Sequence, residues 1–491
     1  MTPKERYQKL QHLLHQENPL LEETLSYYQL LDKVGHKTGL LSPQESYAQQ
    51  ISWWPLISLL GTFSAGKSSF INRYLGRSVQ TTGNQAVDDK FTVICHGNRP
   101  EITTLPGLAL DSDPRFPFYG MSAQIEQVAR GEGKRIDSYL QLKTLEAAPL
   151  LGKILIDSPG FDADSQRDAT LRVTKHIIDL SDLVLVFFDA RHPEPGAMRD
   201  TLEHLVAATR QRHDADKMLY VLNQIDTAAK EDNLEEIIGS WQRALSSQGL
   251  TGGNFYAIYN DQASQIEDPV VRARFAARST RDLDKILQRI DKVGIERSYR
   301  ITRSLETIAQ QIEQEWMPRL QTELTLWRKR VLLADLSAIA ALAVGWFLLS
   351  PTQEVSQVAA QQAEGGWGFI GLIVGVLSVF AVHFFAREKL SQWQQKSLHK
   401  QGLVPLAKAL AHSTRAWRSL VFSQPRGWGS RSQKILFKVT QASKQTIQKL
   451  NDQFTNPSGP KTETLAEHSP LINAFELKPE STSELEKPLI R

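Results

Sequence analysis

The chain has 491 residues, more than one ordinary core organises, so two or three units are expected. Hydrophobic residues make up 41%, enough for a sizeable core, and a formal charge of only +3 excludes a globally basic chain. One cysteine, Cys95, excludes an intrachain disulfide and a cysteine metal cluster, and fits a reducing compartment.

The start, Met1-Thr2-Pro3-Lys4-Glu5-Arg6, carries both signs of charge and no apolar run follows it, so no cleaved signal peptide is expected. Residues 3–50 read as helical. Leu10, Leu14, Leu21, Leu25, Tyr28 and Leu31 recur at helical spacings, with Gly35 and Gly39 as candidate stops. The apolar run Ile51–Leu60 predicts a buried strand that ends at Gly61. Further strands are expected at Phe91–Cys95, Lys153–Ile156, Leu183–Phe188 and Met218–Leu222, with helical stretches between several of them. The alternation predicts an α/β domain with a mostly parallel sheet.

The first strand runs into Gly61-Thr62-Phe63-Ser64-Ala65-Gly66-Lys67-Ser68, a complete P-loop. In such a turn successive backbone N–H groups point at a β-phosphate, and the helix that follows adds its positive end. Gly61 and Gly66 permit conformations that a Cβ would hinder. Lys67 supplies a point charge for the β- and γ-phosphates, and Ser68 a hydroxyl for Mg²⁺. The second motif, Asp157-Ser158-Pro159-Gly160, lies about 90 residues downstream at the end of the strand Ile154-Leu155-Ile156. A carboxylate there can hold Mg²⁺ through a water, and the Gly160 N–H can bind a γ-phosphate. The third, Asn223-Gln224-Ile225-Asp226, follows Leu219-Tyr220-Val221-Leu222. An aspartate at the Asp226 position accepts the N1–H and N2–H of guanine. Gln224 stands where GTPases carry a lysine. Tyr256-Ala257-Ile258-Tyr259-Asn260 is the candidate fifth nucleotide-contacting stretch.

Beyond the α/β region, residues 299–327 read as one helix that Pro318 should kink or break. Two strongly apolar segments follow, Val331–Leu349 and Trp367–Ala386, each near the roughly 20 residues of a membrane-spanning helix. Their outer flanks are basic, Arg328-Lys329-Arg330 and Arg387-Glu388-Lys389. The linker 350–366 has two glutamates and no Lys or Arg, which predicts a hairpin with both flanks on the cytoplasmic side. A re-entrant hairpin and a buried helical pair are the alternatives. Residues 387–450 hold thirteen Lys or Arg against one acid, Glu388, interspersed with Trp393, Trp417 and Trp428. An anionic lipid surface is the expected partner of this stretch, and no nucleic acid. The last residues, 455–491, read as a disordered tail.

Gly61 to Asn72, with Ser64-Ala65 before Gly66-Lys67-Ser68-Ser69, together with Asp157-Ser158-Pro159-Gly160 and Asn223-Gln224-Ile225-Asp226, resembles the motifs of the dynamin superfamily over about residues 51–260. Asp88-Asp89-Lys90-Phe91 and the stretch Leu105–Phe118 look similar to the Eps15-homology-domain ATPases. The apolar hairpin looks more like mitofusins and bacterial dynamin-like proteins. The resemblance implies that Gly61, Ser64, Ala65, Gly66, Lys67, Ser68 and Ser69 bind GTP or GDP together with Asp157, Gly160, Asn223 and Asp226. It implies that Ser64, Lys67 and Gly160 are catalytic, with Ser64 orienting the attacking water. Phe161 occupies a position where small GTPases carry a glutamine, a departure that dynamin-like proteins share. The second motif of the family needs a threonine on Mg²⁺, but alignment on Phe91 puts Val87 or Asp88 there, and Thr81 and Thr82 lie at another spacing. Asp88 therefore joins Ser68 and Asp157 as a candidate Mg²⁺ ligand; the alternative is a rearranged second motif with slow hydrolysis.

The expected fold is α/β: a P-loop GTPase-type, mostly parallel sheet domain, an α-helical stalk and a two-helix membrane hairpin. The expected divisions are N-terminal stalk helices at 1–50, the nucleotide domain at 51–295, a stalk helix at 296–330, the hairpin at 331–386, a basic membrane-proximal region at 387–454 and the tail. The implied function is a membrane-anchored GTPase of a bacterial inner membrane, its nucleotide domain and tail cytoplasmic. It self-associates through the nucleotide domain and remodels, tethers or fuses membranes. The alternatives are an ATP-preferring enzyme of the Eps15-homology type and a nucleotide-dependent scaffold with little turnover.

Overall fold

The computed structural model describes residues 3–62, 64–82, 90–115, 136–160, 167–192, 217–229, 233–247, 249–250, 254–261, 264, 266–349, 367–415, 418, 420 and 424–455. Two N-terminal helices come first, α1 (Pro3–Glu17) and α2 (Pro19–Thr38). Asn18 separates them: its side chain accepts from the Leu21 N–H, and Pro19 fills a first-turn position that needs no donor. Gly39, left-handed at φ 78°, ends α2, whereas Gly35 lies inside the helix.

An eight-stranded sheet follows, made of β1 (Leu56–Gly61), β2 (Phe91–His96), β3 (Thr103–Pro106), β4 (Leu140–Leu145), β5 (Ile154–Asp157), β6 (Leu183–Asp189), β7 (Met218–Asn223) and β8 (Asn254–Ala257). Their spatial order is β3-β4-β2-β5-β1-β6-β7-β8. β1, β5, β6, β7 and β8 run parallel, and β2 is antiparallel to β5. The central strands are buried on both faces, so each reads as a mostly apolar run and not as an alternation. The carboxyl ends of the five parallel strands meet along one edge of the sheet, where open α/β folds bind ligands. β4, outside β2, is partly covered. Leu140 and Leu142 turn inward and Gln141 and Lys143 are half-exposed. Cys95, on β2, is buried, and burial pushes its thiol up to about 12.

The helices α3 (Lys67–Leu75), α4 (Arg167–Leu180) and α5 (Leu234–Ser247) belong to this domain. The long α6 (Pro269–Gln310) leaves it. Leu283, Ile286, Ile290 and Val293 pack under the sheet, and Ile301, Leu305 and Ala309 lie in a helical core beyond it. The helix does not end at Pro318, but its α-helical pattern is interrupted locally just before it. A π-helical stretch, Gln311–Trp316, carries α6 into α7 (Met317–Leu349). In this widened turn the Met317 N–H reaches back to the Ile312 carbonyl.

α2, α6, the start of α7, the end of α8 (Trp367–Lys400), α9 (Val404–Ser413) and α10 (Ser430–Thr455) pack into a stalk. Its core includes Leu25, Leu31, Leu305, Leu320, Leu410 and Leu436. The same core is continuous with Phe91, Cys95 and Ile156 on one face of the sheet. The N-terminal helices therefore seat the domain as well as the stalk: Glu17 of α1 accepts from the Trp54 indole and, at 3.1 Å, from the Gly152 N–H. A polar clamp sits at the same junction. Asp182 accepts from the Leu56 N–H at 2.9 Å and pairs with Arg297 at 3.1 Å and with Arg300.

One expectation about the membrane region changes. Among the described residues, no helix is long and apolar enough to cross a membrane, so the spanning hairpin is not supported. The described parts of α7 and α8 do pack as an antiparallel pair. Arg330 lies 4.8 Å from the Trp393 ring, the Trp327 indole donates to the Arg387 carbonyl at 3.2 Å, and Asp335 meets His383 at 2.8 Å. The basic stretch is also partly consumed within the stalk. Arg387 is buried and donates to the carbonyls of Arg415 and Arg418, Lys408 pairs with Glu45, and Lys449 pairs with Glu23. Trp428 packs against the core; Trp417, the linker 350–366 and residues 456–491 lie outside the described residues.

Candidate nucleotide-binding site

The P-loop leaves β1 at Gly61. A Cβ there would stand 2.7 Å from the carbonyl oxygen of Phe187 on β6, so only glycine lets the two strands close. Ser64 is left-handed at φ 59°, which is uncommon for a residue with a side chain. The Ala65 N–H bonds to the Thr62 carbonyl at 3.3 Å and closes the turn. Gly66, at φ 85°, caps α3, and a Cβ on it would collide with the Asn223 side-chain amide. Lys67 is buried, and its ammonium donates to the carbonyls of Gly61 at 3.0 Å and Thr62 at 3.3 Å. Burial lowers its pKa, and the charge of Asp157 opposes that shift. Ser68 is half-buried in the first turn of α3, and Ser69 is exposed.

Asp157 ends β5 in register with Leu59 of β1, two residues before Gly61. The Ser158 N–H donates to the Leu59 carbonyl at 3.0 Å, which ties the second motif to the strand that feeds the P-loop. Sequence reasoning missed the residue that reaches this carboxylate. Gln80 is buried, and its Nε2 donates to Asp157 Oδ2 at 2.6 Å. Thr81 and Thr82, next in sequence, are exposed. Asp88 and Phe161 lie outside the described residues, as does Phe63 of the P-loop. The donor set fits a hard, oxygen-seeking cation: Ser68 and Asp157 supply a hydroxyl and a carboxylate beside a Gly-rich phosphate turn.

The third motif is stitched to the P-loop. Asn223 Nδ2 donates to the Ala65 carbonyl at 2.9 Å, and Gln224 Nε2 donates to the Ser64 carbonyl at 2.5 Å. Gln224 is itself left-handed, at φ 63°, so the loop turns sharply before Asp226. Burial raises the Asp226 pKa; Arg191 opposes that and Asp261 adds to it. Arg191 is held by a fork to Asp189, which faces Asn223 across β6 and β7. The stretch after β8 joins the same edge: the Ile225 N–H donates to the Ile258 carbonyl at 3.4 Å, and Arg73 of α3 donates to the Tyr259 carbonyl at 3.3 Å. Arg191 and Asp261 carry no motif signal, since only the fold brings them to Asp226. The structure thus gathers Gly61, Ser64, Ala65, Gly66, Lys67, Ser68, Asp157, Asn223 and Asp226 at the carboxyl edge, with Gly160 on the loop after β5.

The dynamin family model matches residues 57–225, the span from β1 through the third motif. Dynamin-like protein 2 of Campylobacter jejuni is 28% identical over 47% of this chain and 38% of its own length. EH domain-containing protein 1 of Arabidopsis thaliana is 26% identical over 35% of this chain and 30% of its own. The chain thus spans about a third of the length of these curated relatives. A solved oligomerised bacterial dynamin pair, described as sensing and tethering membranes at long range, aligns with 92% of this chain and 80% of its own, at 15% identity and a TM-score of 0.36. Residues 57–225 thus match the dynamin family model, and the chain is similar to bacterial dynamin-like and EH domain-containing proteins.

Proposed function

We propose that this chain binds GTP with Mg²⁺, hydrolyses it, and couples the cycle to self-association on a lipid surface. The observation that carries the nucleotide reading is the pair of hydrogen bonds from Asn223 and Gln224 to the carbonyls of Ala65 and Ser64. They lock the base-reading loop to the phosphate-reading loop, so Asp226 is presented at a fixed distance from the P-loop. Lys67 would shift from its two carbonyl partners to phosphate oxygens, and Ser68 and Asp157 would hold Mg²⁺. Mg²⁺ bound there would neutralise phosphate charge. By resemblance, Ser64 orients the attacking water and Gly160 donates its N–H to the γ-phosphate. Gln224 in place of lysine favours one second reading, an ATP-preferring enzyme. GTP and ATP competition on wild type and Asp226→Asn distinguishes the two: selective loss of GTP binding supports guanine, and an unchanged preference for ATP overturns it.

The lipid reading rests on α7 and α8. Leu332, Leu333, Leu336, Leu377, Phe380 and Phe385 are all more than half exposed on this pair, a run of apolar surface that water alone does not favour. Docking into one leaflet fits it without requiring a span. Hydrolysis measured with and without anionic liposomes, on wild type and Lys67→Ala, tests the whole proposal. Indistinguishable rates for the two proteins would sink the enzyme reading, and no response to liposomes would sink the membrane coupling.

A further inference from the structure

Beyond the P-loop and the two downstream motifs, a second set of residues converges on Asp157. Lys143, on β4, pairs in register with Ile94 of β2, two strands away from β5. Its ammonium donates to Gln80 Oε1 at 2.6 Å and to the Val79 carbonyl at 3.1 Å. Gln80 passes the polarity on through Nε2 to Asp157 Oδ2 at 2.6 Å. The amide has one sensible orientation here, because a carboxylate takes only a donor and an ammonium only an acceptor. The segment is also pinned from the P-loop helix. Asn72 of α3 accepts from the N–H groups of Val79 and Gln80, both at 2.8 Å, and donates to the Gln80 carbonyl at 2.8 Å. Asn72 thus holds the Val79–Gln80 backbone at three points.

We propose that Gln80 and Lys143 are positioning residues for Mg²⁺ binding. The Lys143 ammonium polarises the Gln80 amide, and that amide fixes the plane of the Asp157 carboxylate. The inference rests on the reading of this site as a Mg²⁺–nucleotide site. It gives β4 a role that its place two strands from β5 does not announce. It also assigns work to the segment after α3, in a chain whose second motif lacks the expected threonine.

Binding of a fluorescent N-methylanthraniloyl GTP analogue, titrated with Mg²⁺ and repeated in EDTA, tests it on wild type, Gln80→Ala, Lys143→Met and Lys67→Ala. For Gln80→Ala the Mg²⁺ concentration at half-saturation is expected to rise about tenfold, the usual effect of removing a group that orients a metal-binding carboxylate. Lys143→Met should move it less, in the same direction. Affinity in EDTA should stay at the wild-type value for both. An unchanged Mg²⁺ midpoint, or an equal loss of affinity with and without Mg²⁺, overturns the proposal. Lys143 is half-exposed, so Lys143→Met carries the test if Gln80→Ala melts below the assay temperature. Failure of the underlying reading looks different: wild type and Lys67→Ala would then bind the analogue alike, and the inference would fall with it.

Discussion

Asn223 donates its side-chain amide to the Ala65 carbonyl across 2.9 Å, joining residues 158 positions apart in the chain. The bond is buried, so its loss leaves a carbonyl without a replacement from water. That penalty is about 1–3 kcal/mol, or roughly ten- to a hundredfold in binding when the same loop must be ordered for ligand. Asn223→Ala should therefore weaken GTP and ATP alike, since it loosens the P-loop and not only base recognition. Isothermal titration with both nucleotides checks this; a loss confined to GTP would mean that Asn223 reads the base alone.

Gly66 makes a sharper version of the same point. Its φ of 85° is strained for any L side chain, and a Cβ would enter the space of the Asn223 amide. Gly66→Ala is expected to remove nucleotide binding by displacing Asn223, while the sheet, whose core lies elsewhere, keeps its circular dichroism. Retention of wild-type affinity would show that the contact gives way cheaply.

The three motifs and the central strands were legible because both depend on local pattern. β1 is six buried residues ending in glycine, and a P-loop announces its own turn. What stayed hidden depends on register. Lys143 reads as an ordinary alternate residue until β4 is placed beside β2. Gln80 sits in a loop with no motif, and Arg191 approaches Asp226 only because β6 and β7 are neighbours. At Pro318 the residue pattern predicts a kink or local break but not its form, a π-helical stretch over Gln311–Trp316. The charge count over 387–450 does not show which cations are paired within the stalk, as Lys408 and Lys449 are with Glu45 and Glu23.

Lys67 should trade stability for function. Its folded pKa is lowered by burial, so between that value and its usual 10.5 the unfolded chain binds more protons than the folded one. Stability then rises with pH through that window, and below it the folded state carries the full cost of a buried ammonium. Lys67→Met removes the buried charge. We expect a melting temperature at pH 7 no lower than wild type, a flatter dependence on alkaline pH, and hydrolysis down by about a hundredfold. Thermal melts from pH 7 to 10 alongside phosphate release check all three. A lowered melting temperature at pH 7 would show that the two carbonyl bonds outweigh burial.

Asp182 holds the junction of domain and stalk. It is buried, caps the start of β1 through the Leu56 N–H and faces both Arg297 and Arg300 from α6. Asp182→Ala leaves Arg297, itself largely covered, beside an unanswered backbone donor. Removing one partner of a buried pair costs about 3–5 kcal/mol. Asp182→Asn keeps an acceptor for Leu56 and should cost less. Urea unfolding of the two variants checks the order; equal midpoints would place the cost in the charge alone.

Leu333 on α7 and Phe385 on α8 are each 65% exposed, so the fold gains little from their apolar character. Changing both to glutamate should alter stability by no more than about 0.5 kcal/mol per site, the usual range for surface positions. A lipid-facing role predicts something larger elsewhere. Two carboxylates carried into a leaflet cost about 2–3 kcal/mol each at depth. The Leu333→Glu, Phe385→Glu protein should thus lose vesicle binding by at least about tenfold, even when the shift of the helices toward the interface recovers part of that cost. It should hydrolyse GTP at the wild-type basal rate, because neither residue lies near the carboxyl edge of the sheet. Co-sedimentation with anionic vesicles, paired with basal turnover, separates the effects. Vesicle binding equal to wild type would move the lipid contact from this apolar face to the basic residues that the stalk leaves exposed.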